Sequence, residues 1–170
     1  MDKPLVNRVA ASGLVTLKPD EHLQSVSFAH FDFKDYLFQG LMLKEKDFRS
    51  SLKNKDWTLE KDKVLLVSCS SEAIIPMWAY MLVAATAFPH VKDIQFGDEN
   101  SFLDAQLNQF LSHLNPIDYK DQKVVVKGCG AFSIPPWFYL KITHLLTPHV
   151  KSLMFGEPCS TVPIFKRTNT

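Results

Sequence analysis

No apolar run in the 170 residues approaches the ~20 needed to span a bilayer. The opening Met1-Asp2-Lys3-Pro4 leads into a short apolar stretch broken by Asn7 and Arg8, which lacks the apolar segment of a signal peptide. The expectation is a cytoplasmic protein with no membrane partner. Charge of one sign is missing too: nineteen Lys and Arg against eighteen Asp and Glu leave +1. That removes any global electrostatic footprint for nucleic acid. Three cysteines, an odd number, cannot complete a set of intramolecular disulfides, and a reducing compartment disfavours such bonds. The thiols are expected to be free or metal-bound.

Several short motifs are absent as well. Gly128-Cys129-Gly130 is a GxG without the third glycine of a dinucleotide fingerprint, and no Walker-type lysine follows the other candidate strand. Phosphatase-type thiol chemistry needs an arginine in the loop after the cysteine, but Cys69 is followed by SSEAII and Cys129 by GAFSIP. There is no CxxC pair.

What the chain does have is self-similarity. From Val64 it reads VLLVSCSSEAIIPMWAYMLVAATAFPHVKDIQFGDEN, and from Val124 VVVKGCGAFSIPPWFYLKITHLLTPHVKSLMFGEPC. The alignment lays Cys69 on Cys129, Pro89-His90-Val91-Lys92 on Pro148-His149-Val150-Lys151, and Phe96-Gly97-Asp98 on Phe155-Gly156-Glu157, with one residue deleted between the prolines. Each copy opens with a short β-branched apolar run, as in a strand buried on both faces. Proline then starts a helix of about four turns, proline ends it, and a second strand closes on glycine.

Between the copies, Leu103, Leu107, Phe110, Leu111 and Leu114 recur at helical spacing until Asn115-Pro116. Upstream, residues 26–33 alternate at period two, Phe48 and Leu52 mark one face of a helix over 44–55, and 13–17 is a further edge strand. The expected fold is α/β, a single domain over 1–170. A mainly parallel sheet is flanked by helices and contains two duplicated strand–helix–strand units, about 64–100 and 124–159.

In such sheets ligands bind outside the carboxyl ends of the strands. Cys69, Asp98, Glu99, Cys129, Glu157 and Cys159 fall there. Three thiolates with a carboxylate from Glu157 or Asp98 suit zinc or an iron–sulfur cluster. Against this, free cysteine is among the most buried residue types, and small thiols also fill tight strand–helix turns. His90 and His149, at helix ends on the opposite edge, are explained by capping.

The segments VNRVA (6–10), GLMLKEKDFR (40–49), WAYML (78–82), KGC (127–129) and GEPCSTVP (156–163) resemble the bacterial domain of unknown function 2480 family over nearly the whole chain. That family has no assigned activity, so the resemblance implies no catalytic residue. Its members stand near iron–sulfur assembly genes, which implies a cysteine-bound metal. Three readings follow. One is a metal- or iron–sulfur-binding accessory factor. Another is a non-catalytic module that docks a protein partner through the carboxyl edge or residues 162–165. The third is a thiol-dependent enzyme.

Overall fold

The computed structural model describes residues 13–128 and 130–168. In chain order the elements are β1 (Leu14–Leu17), β2 (Phe28–Asp32), α1 (Glu45–Asn54), β3 (Val64–Ser68), α2 (Met77–Ala87), β4 (Asp93–Phe96), α3 (Glu99–His113), β5 (Lys123–Val126), α4 (Pro136–Leu146), β6 (Ser152–Glu157) and β7 (Ser160–Lys166). They form two compact units. A continuous unit runs from Gln24 to Ala105, and a split unit joins the residues up to Leu23 to those from Gln106 onward. Helix α3 passes from one to the other. Among the described residues no helix is long and apolar enough to cross a membrane. The VNRVA motif at 6–10 and Cys129 lie outside the described residues.

In the continuous unit the strand order is β2-β3-β4, all parallel. The run Val64-Leu65-Leu66-Val67 is buried on both faces of this sheet. Leu65 and Val67 join Phe31, Phe33, Phe48, Leu52, Ala79 and Val83 on one side, while Val64 and Leu66 meet Phe102 and Phe28 on the other. Period-two alternation with no polar position is what a strand covered on both faces requires. In the split unit the order is β1-β5-β6-β7, with β7 antiparallel to β6. The α/β class and the mainly parallel pairing hold, but the strands divide between two sheets instead of joining one. Periodicity marks which segments are strands and is silent on which strand each one pairs with. Here β1 pairs with β5 across the whole continuous unit, while β2 pairs with β3.

The two long crossovers span three turns, not four. Pro76 and Pro135 at their N-caps keep extended backbone, with ψ of 142° and 152°. The residue ahead of a proline is pushed out of the helical region as well. Residues 160–166 form a strand that the sequence reading left out. It lies at the sheet edge, where Pro163 costs no interior ladder bond.

The internal correspondences run at one spacing of 59 residues. The left-handed Asp62 recurs as Asp121, and Gly97 (φ 107°) as Gly156 (φ 123°). The bond from Lys92 N–H to the Lys63 carbonyl recurs from Lys151 to Gln122, and that from Ala79 to Pro76 recurs from Phe138 to Pro135. The Tyr80–Phe96 ring contact recurs as Tyr139–Phe155. These features share one spacing on both sides of the prolines, whereas the sequence alignment of Cys69 with Cys129 needs a one-residue deletion. At the spacing the backbone keeps, Gly128 stands opposite Cys69, and Cys129 falls opposite Ser70.

Candidate functional site

The carboxyl edge of the continuous unit is closed by its own side chains. Asp32, at the end of β2, accepts the Ser70 N–H at 3.0 Å and the Lys34 N–H at 2.9 Å through Oδ1. Burial would raise this carboxyl, but the Ser70 hydroxyl and the two N–H donors outweigh it and hold Asp32 below the usual carboxylate range. Backbone donors that could receive an anion are thus already taken by a carboxylate. Cys69 is half-buried in the next turn, its Sγ 3.3 Å from Ser71 Oγ and 3.5 Å from the Ser71 carbonyl.

Asp98 has a local role that the sequence reading missed. Its Oδ1 accepts the Ser101 N–H and the Ser101 hydroxyl, each at 2.8 Å, at the N-terminus of α3. The Ser101 N–H is the largest cause holding its carboxyl below the ordinary range. Asp-x-x-Ser ahead of an apolar helical run is the pattern that could have disclosed this cap. Glu99 follows in the first turn, 3.8 Å from His30 Nε2.

In the split unit, Glu157 Oε1 lies 3.7 Å from Lys127 Nζ. Cys159 is exposed in the two-residue turn between the paired Glu157 and Ser160. Gly128 sits under the Phe155 ring, and a Cβ there would collide with that ring. Among the described residues no three His, Cys, Asp or Glu side chains are grouped so as to hold a metal ion. His90 lies at the helix end beyond α2, stacked on Trp57 with ring centroids 5.9 Å apart.

A recess of the split unit lies elsewhere. A groove of about 890 Å³ runs along the outer face of α4, walled by Tyr139, Leu140, Thr143, His144 and Thr147, with Ile134, Pro136, Pro148 and Ile164 of β7 completing it. A second groove of about 510 Å³ lies on the other side of the same helix, between α4 and the end of α3, where Asn108, Leu111 and Ser112 face Leu145 and Lys141. Leu140 and His144 line both grooves. Leu140 therefore stands as a ridge between them, 74% exposed. Ile164 belongs to the 162–165 segment that the sequence offers as a docking edge, whereas the exposure of Leu140 and His144 on α4 was not read from the sequence.

These features define an α/β protein of two sheet units, one parallel and one mostly parallel, with a closed carboxyl edge in the continuous unit and an apolar helix face in the split unit. The chain belongs to a family of proteins of unknown function, DUF2480, whose model matches residues 3–167. No curated protein and no solved structure matches it.

Proposed function

We propose that the chain is a protein-interaction module built from two copies of one α–β–α–β unit, each completed by its own N-terminal strand, and that it docks a partner polypeptide on the outer face of α4. The constant 59-residue spacing of backbone bonds and left-handed positions supports the repeat. It extends to the helices that precede each unit, since α1 ends at Asn54 and α3 at His113.

The observation that carries the docking reading is the exposed Leu140 ridge between two grooves. The larger groove is lined without a single Asp, Glu, Lys or Arg. Such a surface offers no fixed charge for a phosphate or carboxylate substrate, and it matches apolar side chains of a protein segment. The closed carboxyl edge of the continuous unit agrees with it, because Asp32 already occupies the amides there.

The experiment is the size of the complex in source-cell extract. The wild-type chain is expected to migrate well above its own 19.4 kDa, and Leu140→Glu to shift it down while leaving the thermal melt unchanged. In parallel, the protein purified without oxygen is analysed for zinc and iron. Stoichiometric metal that disappears with Cys159→Ser, alongside a complex indifferent to Leu140→Glu, would replace this reading with the cysteine-bound metal site.

A further inference from the structure

Strands β4 and β6 match at the 59-residue spacing, Phe96 to Phe155 and Gly97 to Gly156, but only β6 has a strand on each side. In the split unit β7 adds to it antiparallel, setting Lys166 opposite Ser152, Phe165 opposite Leu153 and Val162 opposite Phe155. Among the described residues β4 pairs with β3 alone and forms the edge of its sheet. The Gly97 N–H bonds the Val67 carbonyl at 2.9 Å, so the N–H of Phe96, one residue earlier, faces away from β3. Burial records the missing neighbour. Phe155 is 39% exposed beside β7 and Phe96 68%, although each ring meets its matched tyrosine, Tyr139 or Tyr80, edge-on. Leu153 is buried, whereas Ile94 is half-buried.

The end of β7 also shows what an added strand meets at the start of such an edge. The Arg167 backbone N–H donates to the Lys151 carbonyl at 2.9 Å, and its guanidinium donates to Asp121 Oδ1 at 2.6 Å and to the Pro148 carbonyl at 3.0 Å. Lys92, Asp62 and Pro89 stand at the matching positions of the continuous unit, and Asp62 keeps the left-handed backbone of Asp121. No ion pair reaches Asp62 among the described residues. Lys61 beside it is matched by Lys120, so a lysine at this place does not keep a guanidinium away. A second acid, Asp93, stands where β6 has Ser152, the residue that faces Lys166, and its Oδ1 accepts the Ile94 N–H at 2.8 Å. A charge on an edge strand guards it against indiscriminate pairing. It also selects a basic residue opposite, which holds the carboxylate when the incoming strand takes the amide.

We infer that the free edge of β4 takes an extended segment of a partner polypeptide as an added antiparallel strand, an apolar run ending in Lys-Arg. The lysine lies opposite Asp93, and the arginine reaches Asp62 and the Pro89 carbonyl. Main-chain bonds to the edge supply affinity and the two acids supply the choice of sequence. The inference uses the repeat proposed above but not the α4 grooves.

The probe is a labelled synthetic peptide with the sequence of residues 160–168, added to the full chain and followed by fluorescence anisotropy and amide hydrogen exchange. Saturable binding is expected, with slowed exchange over residues 93–97 and none over 152–157, where β7 already pairs. Asp62→Asn keeps a residue that tolerates the left-handed backbone and is expected to weaken binding about tenfold. A peptide carrying Arg167→Gln should lose as much on the wild-type chain and nothing further on Asp62→Asn. Phe96→Pro removes the outward N–H and is expected to abolish binding, while Leu140→Glu binds the peptide like the wild type. The exchange pattern of the wild-type chain decides the matter even if Phe96→Pro fails to fold. No binding up to about 1 mM, binding without protection of 93–97, or binding indifferent to Asp62→Asn overturns the inference. So does a chain that is dimeric alone and monomeric with peptide, which would give the edge to β7 of a second copy.

Discussion

Helices α2 and α4 hold the same place in the two units and bury the same three positions, yet they fill them in opposite ways. In the continuous unit the inward residues are Ala79, Val83 and Ala87; in the split unit they are Phe138, Ile142 and Leu146. The elements facing them reverse the bias. The continuous unit supplies Phe31, Phe33 and Phe48, and the positions that correspond through strand register and helix end supply Leu17, Pro19 and Leu107. The larger side chains thus come from the facing elements in the continuous unit and from the helix in the split unit. A close-packed interior constrains total volume and shape more tightly than it constrains which element provides them, so a helix between parallel strands can be packed from either side.

The largest expected effect breaks that balance directly. Phe138→Ala should cost about 3–5 kcal/mol of unfolding free energy. The reciprocal Ala79→Phe should overpack the continuous unit and cost about 1–3 kcal/mol. Urea denaturation reads both, and a neutral Ala79→Phe would mean that the small residues on α2 are not there to make room for Phe31, Phe33 and Phe48.

The corresponding glycines sharpen the comparison at the strand ends. Both have positive φ, but a Cβ at Gly156 would lie 2.6 Å from the Ser160 carbonyl oxygen, whereas at Gly97 it would meet the Ser101 side chain. Backbone cannot step aside as a side chain can. Gly156→Ala is expected to cost about 2–3 kcal/mol and Gly97→Ala about 1–2 kcal/mol, measured by thermal melts. Equal costs would show that only the shared backbone conformation matters.

The smallest effect concerns the closed edge, where Asp32 in the continuous unit corresponds to Lys18 in the split unit. A carboxyl held below its ordinary value contributes stability above its unfolded pKa of about 3.9, and this is lost as pH falls through the lower folded value. Asp32→Asn keeps an acceptor for Ser70 and Lys34 but removes the charge. It is expected to cost about 1 kcal/mol at neutral pH and to flatten the acid limb of stability below about pH 4. An acid limb unchanged by the substitution would assign that loss to other carboxyls.

Much of this architecture is legible in the sequence because it is local. The Val64–Val67 run, the Phe48 and Leu52 pair and the prolines around α2 and α4 each declare their element through periodicity or backbone restriction. What is not legible is nonlocal. That β1 pairs with β5, and that the strands form two sheets, depends on contacts across more than 100 residues. The Phe155 ring over Gly128, which leaves no room for a side chain there, is nonlocal in the same way. Of the expected ligands, Asp98 proves to cap α3, Glu157 faces Lys127, and Cys69 lies beside Ser71. The α4 grooves are nonlocal too, since their walls come from α3, α4 and, for the larger one, Ile164 of β7.

The docking account is tested most directly by placing a photo-cross-linking residue at Leu140, and separately at Ile164, in the living source cell. The account predicts the same discrete protein adduct from both positions and none from Lys123 in the same unit. Adducts that differ between Leu140 and Ile164, or none from either, would contradict it.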